Sequence, residues 1–293
     1  MGMRTIIVWL SSGLLLAGCG GGTKTGSGLA VVAAENVYGD IAQQIGGAHV
    51  HVTSVLSNPN ADPHLFGPDS RDGLAVATAR VVIQNGLGYD AFMTKLENAA
   101  PNAKRSVLTI SDILGVRGRD ANPHLWYDVP ALGRIAGAIA NALERADPAH
   151  GHAYRVGIAR FDASLAPLRR EVAHIRKAFG GVAIAYTEPV PGYLTDAAGL
   201  RNLAPPSFTR AIEQGTEPPP QAVAAMNGLM TGRSVKVLLY NSQAVSPITS
   251  RVRTEAARAH IPVVGMTETL PPHHSFQQWQ LAQARRLAAA LAR

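Results

Sequence analysis

Asp62-Pro63-His64-Leu65-Phe66 and Asn122-Pro123-His124-Leu125-Trp126 are one short pattern written twice: a turn-forming polar residue, a proline, a histidine, then an apolar residue and an aromatic one. Proline holds φ at about −65° and steers the residue before it away from helix, so each imidazole is offered from a stiff loop. Stiff presentation suits a ligand whose geometry must be preset. Two matched histidines therefore predict one metal site, against the alternative that each Asx-Pro pair opens a helix and leaves its histidine solvated. Cys19 is the only cysteine. Intrachain disulfides and a thiolate zinc site within one chain are thereby excluded, and nitrogen and oxygen must hold any metal.

Those donors need elements to carry them. Leu29 to Ala34, His49 to Leu56, Arg80 to Asn85 and Ser106 to Thr109 read as strands, and Val37 to Ile45 and Val129 to Arg145 as amphipathic helices. After Gly180-Gly181 a second set follows, with Val182 to Thr187, Val235 to Asn241 and Pro262 to Thr267 as strands. Alternating strands and helices predict parallel sheets in two α/β lobes. Pro148 to Phe179 lies between them and reads as one long helix bent at Pro167, or as two helices meeting near Ala166. In open α/β sheets, ligands collect outside the carboxyl ends of the strands. His64 follows the second strand, and Glu188 and Glu268 directly follow VAIAYT and PVVGMT. Their simpler readings are a carboxylate at a helix N-terminus for Glu188 and a strand-end surface charge for Glu268.

The first residues read as an export signal, with Arg4 ahead of a mostly apolar stretch from Ile6 to Ala17 that is too short to span a bilayer. Gly20 to Gly28 is rich in glycine, serine and threonine and predicts a flexible tether. A net charge of +7 is basic, but the arginines are spread out and no stripe of aromatic and basic residues accompanies them, so nucleic-acid binding is not expected. Among the other histidines, His49 and His51 read as exposed edge-strand residues, His273 and His274 as a solvated loop, and His174 and His260 as helix surface. Asp62 or Asp128 is the expected second partner of a ligating imidazole.

Beyond the two proline-histidine motifs, residues 187–200 (TEPVPGYLTDAAGL), 240–249 (YNSQAVSPIT) and 263–272 (VVGMTETLPP) resemble the zinc- and manganese-binding proteins of bacterial ABC importers. The resemblance covers essentially the whole mature chain. It implies two Rossmann-like α/β lobes joined by a long rigid linking helix, with one divalent metal, Zn²⁺ or Mn²⁺, bound between them and passed to a membrane permease. Leu16-Ala17-Gly18-Cys19 resembles a bacterial lipoprotein signal, which implies acylation of Cys19 and anchoring of a monomer outside the cytoplasmic membrane. The implied organisation is a signal over 1–18, a lipidated tether over 19–28, a first lobe over 29–147, the link over 148–179 and a second lobe over 180–293. Carried over position by position, the ligands are His64, His124, Glu188 and Glu268. In the family the position of Glu188 is histidine in many zinc-binding members and glutamate in several manganese-binding ones, and that of Glu268 is more often aspartate. The competing expectations are a lipid-anchored zinc metallohydrolase, for which no HExxH helix or nucleophile elbow is present, and a surface adhesin.

Overall fold

The computed structural model describes residues 1–2, 28–59 and 63–293, with the backbone alone for His64. The export signal, Cys19, most of the tether and Asp62 lie outside the described residues. The first lobe is built on β1 (Leu29–Glu35), β2 (Val50–Leu56), β3 (Val81–Gln84) and β4 (Ser106–Thr109), in the spatial order β2-β1-β3-β4. The second uses β5 (Ala183–Tyr186), β6 (Arg201–Asn202), β7 (Leu238–Asn241) and β8 (Val263–Met266), in the order β6-β5-β7-β8. Every pairing is parallel, so both sheets have one and the same winding. β6 is only two residues long, too short for side-chain periodicity to reveal it.

Helices α1 (Asn36–Gly46), α2 (Ser70–Thr78), α3 (Ala91–Ala99), α4 (Ile110–Leu114) and α5 (Leu132–Ala146) accompany the first sheet. Two helices, α6 (Gly151–Ser164) and α7 (Ala166–Phe179), make the link, and α8 (Gly192–Ala197), α9 (Pro206–Glu213), α10 (Pro220–Thr231), α11 (Pro247–Arg258) and α12 (Phe276–Leu291) belong to the second lobe. None of the described helices is long and apolar enough to cross a membrane. In β1 the alternation of a two-sided strand is plain: Val31 and Ala33 join the large central core, while Val32 and Ala34 join a smaller one with Val76 and Met93. The central core continues through both lobes, from Val31 to Trp279 and Leu287.

The link divides at Leu165, which is buried with φ −76° and ψ −10°. Pro167 stands in the first turn of α7, where its missing N–H costs least. Each half serves one lobe: α6 packs on α1 and α5, and α7 packs on α12. Gly157 lets α6 approach α1 so closely that a Cβ there would lie 2.1 Å from the Ile45 carbonyl oxygen.

Direct bonds also tie the lobes. Asn36 Nδ2 donates to the Leu270 carbonyl and the Leu270 N–H donates back to Asn36 Oδ1, both at 2.9 Å. The Phe276 N–H donates to Asp40 Oδ2 at 2.9 Å, and the Gln44 and Gln277 amides bond reciprocally. Tyr127 reaches across to the Thr267 carbonyl at 2.6 Å.

Candidate metal centre

His124 sits on a loop shaped by its own motif. Asn122 Oδ1 accepts from the His124 N–H at 3.0 Å and lies 2.8 Å from His124 Nδ1, closing a turn in backbone that Pro123 already keeps out of helix. The carboxamide holds the Nδ1–H tautomer and aims Nε2 away from the loop. This is the role expected of Asp62 or Asp128. Asp128 instead accepts from the Ala131 N–H and caps the short turn that leads into α5. Asn122 Nδ2 donates to the Pro189 carbonyl at 2.8 Å, and Tyr193 donates to the Asn122 carbonyl at 2.9 Å, so the loop is fastened to the second lobe. Behind it, Asn85 Nδ2 donates to the Pro123 carbonyl at 2.8 Å. Tyr89 and Trp126 pack edge-on against the imidazole, with centroids 5.7 and 5.3 Å away.

Across the cleft, Glu188 and Glu268 are 1% exposed and His124 is fully buried. Such burial does not fit a surface charge at Glu268, and Glu188 lies ahead of α8 rather than in its first turn. Glu268 Oε2 lies 3.1 Å from His124 Nε2 and accepts from Tyr89 at 2.7 Å. Asn241, the last residue of β7, donates through Nδ2 to both carboxylates, at 2.7 Å to Glu268 Oε1 and also to Glu188 Oε2. One amide thus sits between two like charges that burial would otherwise make repel. Gln243 completes the brace: Oε1 accepts the Glu268 and Thr269 N–H groups, and Nε2 donates to the Pro59 carbonyl in the loop that leads to His64. The Pro63–Leu65 backbone forms a single 3₁₀ turn, and Pro63 borders a cavity of about 510 Å³ together with Tyr89, Pro123 and Glu213.

Glu213, at the end of α9, is a residue that the sequence patterns do not single out. Its Oε2 lies 3.8 Å from His124 Nε2. Burial opposes charge on His124, but Glu213, Glu268 and Glu188 outweigh it and raise the imidazole's pKa above its ordinary value. Among the described residues no group of three or more His, Cys, Asp or Glu side chains is placed to hold a metal ion. The donor chemistry is nonetheless that of a transition-metal site, with imidazole nitrogen on one wall and carboxylate oxygen on the other.

The remaining histidines stand elsewhere. His49 belongs to a short turn ahead of β2 rather than to the strand, and its ring stacks on His150 at 4.0 Å. His150 Nδ1 pairs with Asp147 Oδ2 at 2.7 Å. His51 is exposed on β2, an edge strand, as its alternation implied. His260 lies just past α11 with φ 58°, not on a helix face.

The profile of the family "Zinc-uptake complex component A periplasmic" (ZnuA) matches residues 31–290. Among curated proteins, the manganese-binding lipoprotein MntA of Bacillus subtilis is 30% identical over 173 residues, 55% of this chain and 56% of that protein. The manganese ABC transporter substrate-binding lipoprotein PsaA of Streptococcus pneumoniae is 27% identical over 175 residues, 54% of this chain and 56% of PsaA. The chain thus spans about half the length of these curated relatives. Among solved structures, the Mn-bound periplasmic metal binding protein of Candidatus Liberibacter asiaticus has the same fold, with a TM-score of 0.74 at 18% identity over 89% of this chain and 98% of the other. The laminin-binding protein Lbp of Streptococcus pyogenes does too, at 0.73 and 20% identity, over 90% of this chain and 99% of Lbp. With the match running from residue 31 to residue 290, the chain belongs to the zinc-uptake complex component A (ZnuA) family.

Proposed function

We propose that the protein is an extracytoplasmic receptor that binds one divalent transition metal, Zn²⁺ or Mn²⁺, between its lobes and delivers it to the permease of an ABC importer. The observation that carries this reading is the buried facing of His124 Nε2 and Glu268 Oε2 at 3.1 Å, with Glu188 held beside them by Asn241. Donors bonded at about 2.1 Å to one ion stand roughly 3.0–3.4 Å apart, so this pair has the spacing of neighbours in a shell. His64, His124, Glu188 and Glu268 are the assigned ligands, with neutral imidazoles and ionised carboxylates. Mature protein beginning at an acylated Cys19 would be held at the outer face of the membrane, acting as a monomer within reach of its permease. The family favours a receptor over the hydrolase and adhesin readings.

The bonds from Asn36, Asp40 and Gln44 into the second lobe oppose a wide clamshell opening. Release then proceeds by movement of a ligand-bearing loop on the permease rather than by separation of the lobes. The test is metal content by mass spectrometry of the full chain, extracted in mild detergent from cells supplied with balanced manganese and zinc, beside His64→Ala and Glu188→Ala. One equivalent of Mn or Zn in the parent and none in either variant is the expected result. A parent that is metal-free and takes up neither ion on addition overturns the reading.

A further inference from the structure

Three carboxylates face His124, and the third stands differently from the other two. Glu188 and Glu268 are sealed, whereas the Glu213 side chain keeps 14% exposure. It lines the 510 Å³ cavity with Pro63 and Tyr89, and also a second cavity of about 280 Å³ beyond the Asn122-Pro123 turn. Glu213 therefore occupies the mouth of the site, between solvent and the buried donors. Its Oε2 is 3.8 Å from His124 Nε2, so an approach of well under an ångström brings it to the spacing of donors around a shared ion. Rotation about the glutamate side-chain bonds supplies a movement of that size.

Resting on the receptor reading above, we propose that Glu213 is an additional ligand of the transported ion, closing the shell from the solvent side and biasing it toward Mn²⁺ over Zn²⁺. Zinc is satisfied by four donors in a tetrahedron, while manganese accepts more and prefers oxygen. A third carboxylate thus adds more to Mn²⁺ than to Zn²⁺. Its charge makes the donor set more negative than the ion is positive, and of the three carboxylates it is the one whose side chain keeps some contact with solvent.

The test is competitive titration of Mn²⁺ and of Zn²⁺ against a chelator, using the full chain and its Glu213→Gln, Glu213→Asp and His124→Ala variants. A direct ligand predicts that Glu213→Gln weakens Mn²⁺ by tenfold or more and Zn²⁺ by less than threefold. Glu213→Asp, which keeps the charge but withdraws it by one methylene, should also lose Mn²⁺ affinity. If Glu213→Gln weakens both ions equally while Glu213→Asp behaves as the parent, the carboxylate acts only through its field and the proposal is overturned. It is equally overturned if Glu213→Gln leaves both affinities within threefold of the parent while His124→Ala abolishes them, and that result leaves the receptor reading standing. A parent that binds neither ion removes both.

Discussion

The two lobes share one strand order, and each places a glutamate near the end of its first strand and an asparagine at or just past the end of its third. In the first lobe these are Glu35 and Asn85, in the second Glu188 and Asn241. The positions flank the crevice where a doubly wound sheet reverses direction, the usual ligand site of such folds. Yet only the second pair faces the site. Asn241 holds Glu188 and Glu268 toward His124, whereas Asn85 accepts from Tyr38 at 2.6 Å and donates to the Pro123 carbonyl, and Glu35 faces Asp90. The first lobe uses its crevice to brace a histidine loop, and the second uses the same crevice to hold two buried carboxylates. Position in a fold thus allows a site, and the partner of each side chain decides whether one is built.

Substituting the two asparagines should break this comparison most forcefully. Asn241→Leu leaves two buried carboxylates with no donor between them, a change expected to destabilise the metal-free protein by roughly 3–5 kcal/mol. Added Mn²⁺ or Zn²⁺ should recover much of that loss, because the ion supplies the missing positive charge. Asn85→Leu orphans the Tyr38 hydroxyl and the Pro123 carbonyl instead, for roughly 2–4 kcal/mol, and metal should add no more stability than it does to the parent. Urea unfolding with and without metal separates the two, and equal rescue would show that the lobes do not divide the work in this way.

Two glycines sharpen the same division with smaller effects. A Cβ on Gly157 meets the Ile45 backbone, which cannot yield locally, so Gly157→Ala should cost about 1–3 kcal/mol while metal stoichiometry stays at the parent's value. A Cβ on Gly192 meets Asn122 Nδ2 first, at 2.7 Å. Gly192→Ala should therefore push aside the carboxamide that orients His124, lowering metal affinity by about tenfold for less than ~1 kcal/mol of stability. Calorimetric melting beside metal titration checks both. A Gly192→Ala protein with parental affinity would show that the Asn122 contact does not set the imidazole.

Much of this was readable from residue order alone. Strands rich in valine and isoleucine and the repeated proline-histidine pattern point to two parallel-sheet lobes, and the burial of His124, Glu188 and Glu268 at strand-end loops follows the carboxyl-end rule. What supports these three side chains was harder to see. Asn122 belongs to the motif itself, yet a carboxylate looked the better partner for an imidazole, and only the turn geometry shows why a residue two positions back reaches Nδ1. Asn85 and Asn241 each close an apolar strand, RVVIQN and VKVLLYN, a repeat as plain as the histidine motif and a usable signal. Glu213 has no such signal: it ends an ordinary amphipathic helix, and its approach to His124 depends on how two distant segments pack. Gly157 reads as a helix breaker until the helix crossing α6 is known.

Protonation offers the smallest and most selective probe of the two crevices. Burial, and next the neighbouring Asp90 carboxyl, push Glu35 well above its ordinary 4.5. A raised carboxyl binds its proton more tightly in the folded chain than in the unfolded one, so its contribution to stability is complete below about pH 4.5 and fades as pH rises through the folded value. Glu35→Gln removes that dependence. The variant should gain on the parent between about pH 5 and pH 8, even where the substitution itself costs some packing. Asp90, also raised chiefly by burial, keeps a residual slope of the same sign. Unfolding midpoints at the two pH values, measured without metal, give the comparison directly. A constant gap between parent and variant would mean that Glu35 is ionised in the native protein across this range, and that the first lobe keeps an anion at its crevice just as the second does.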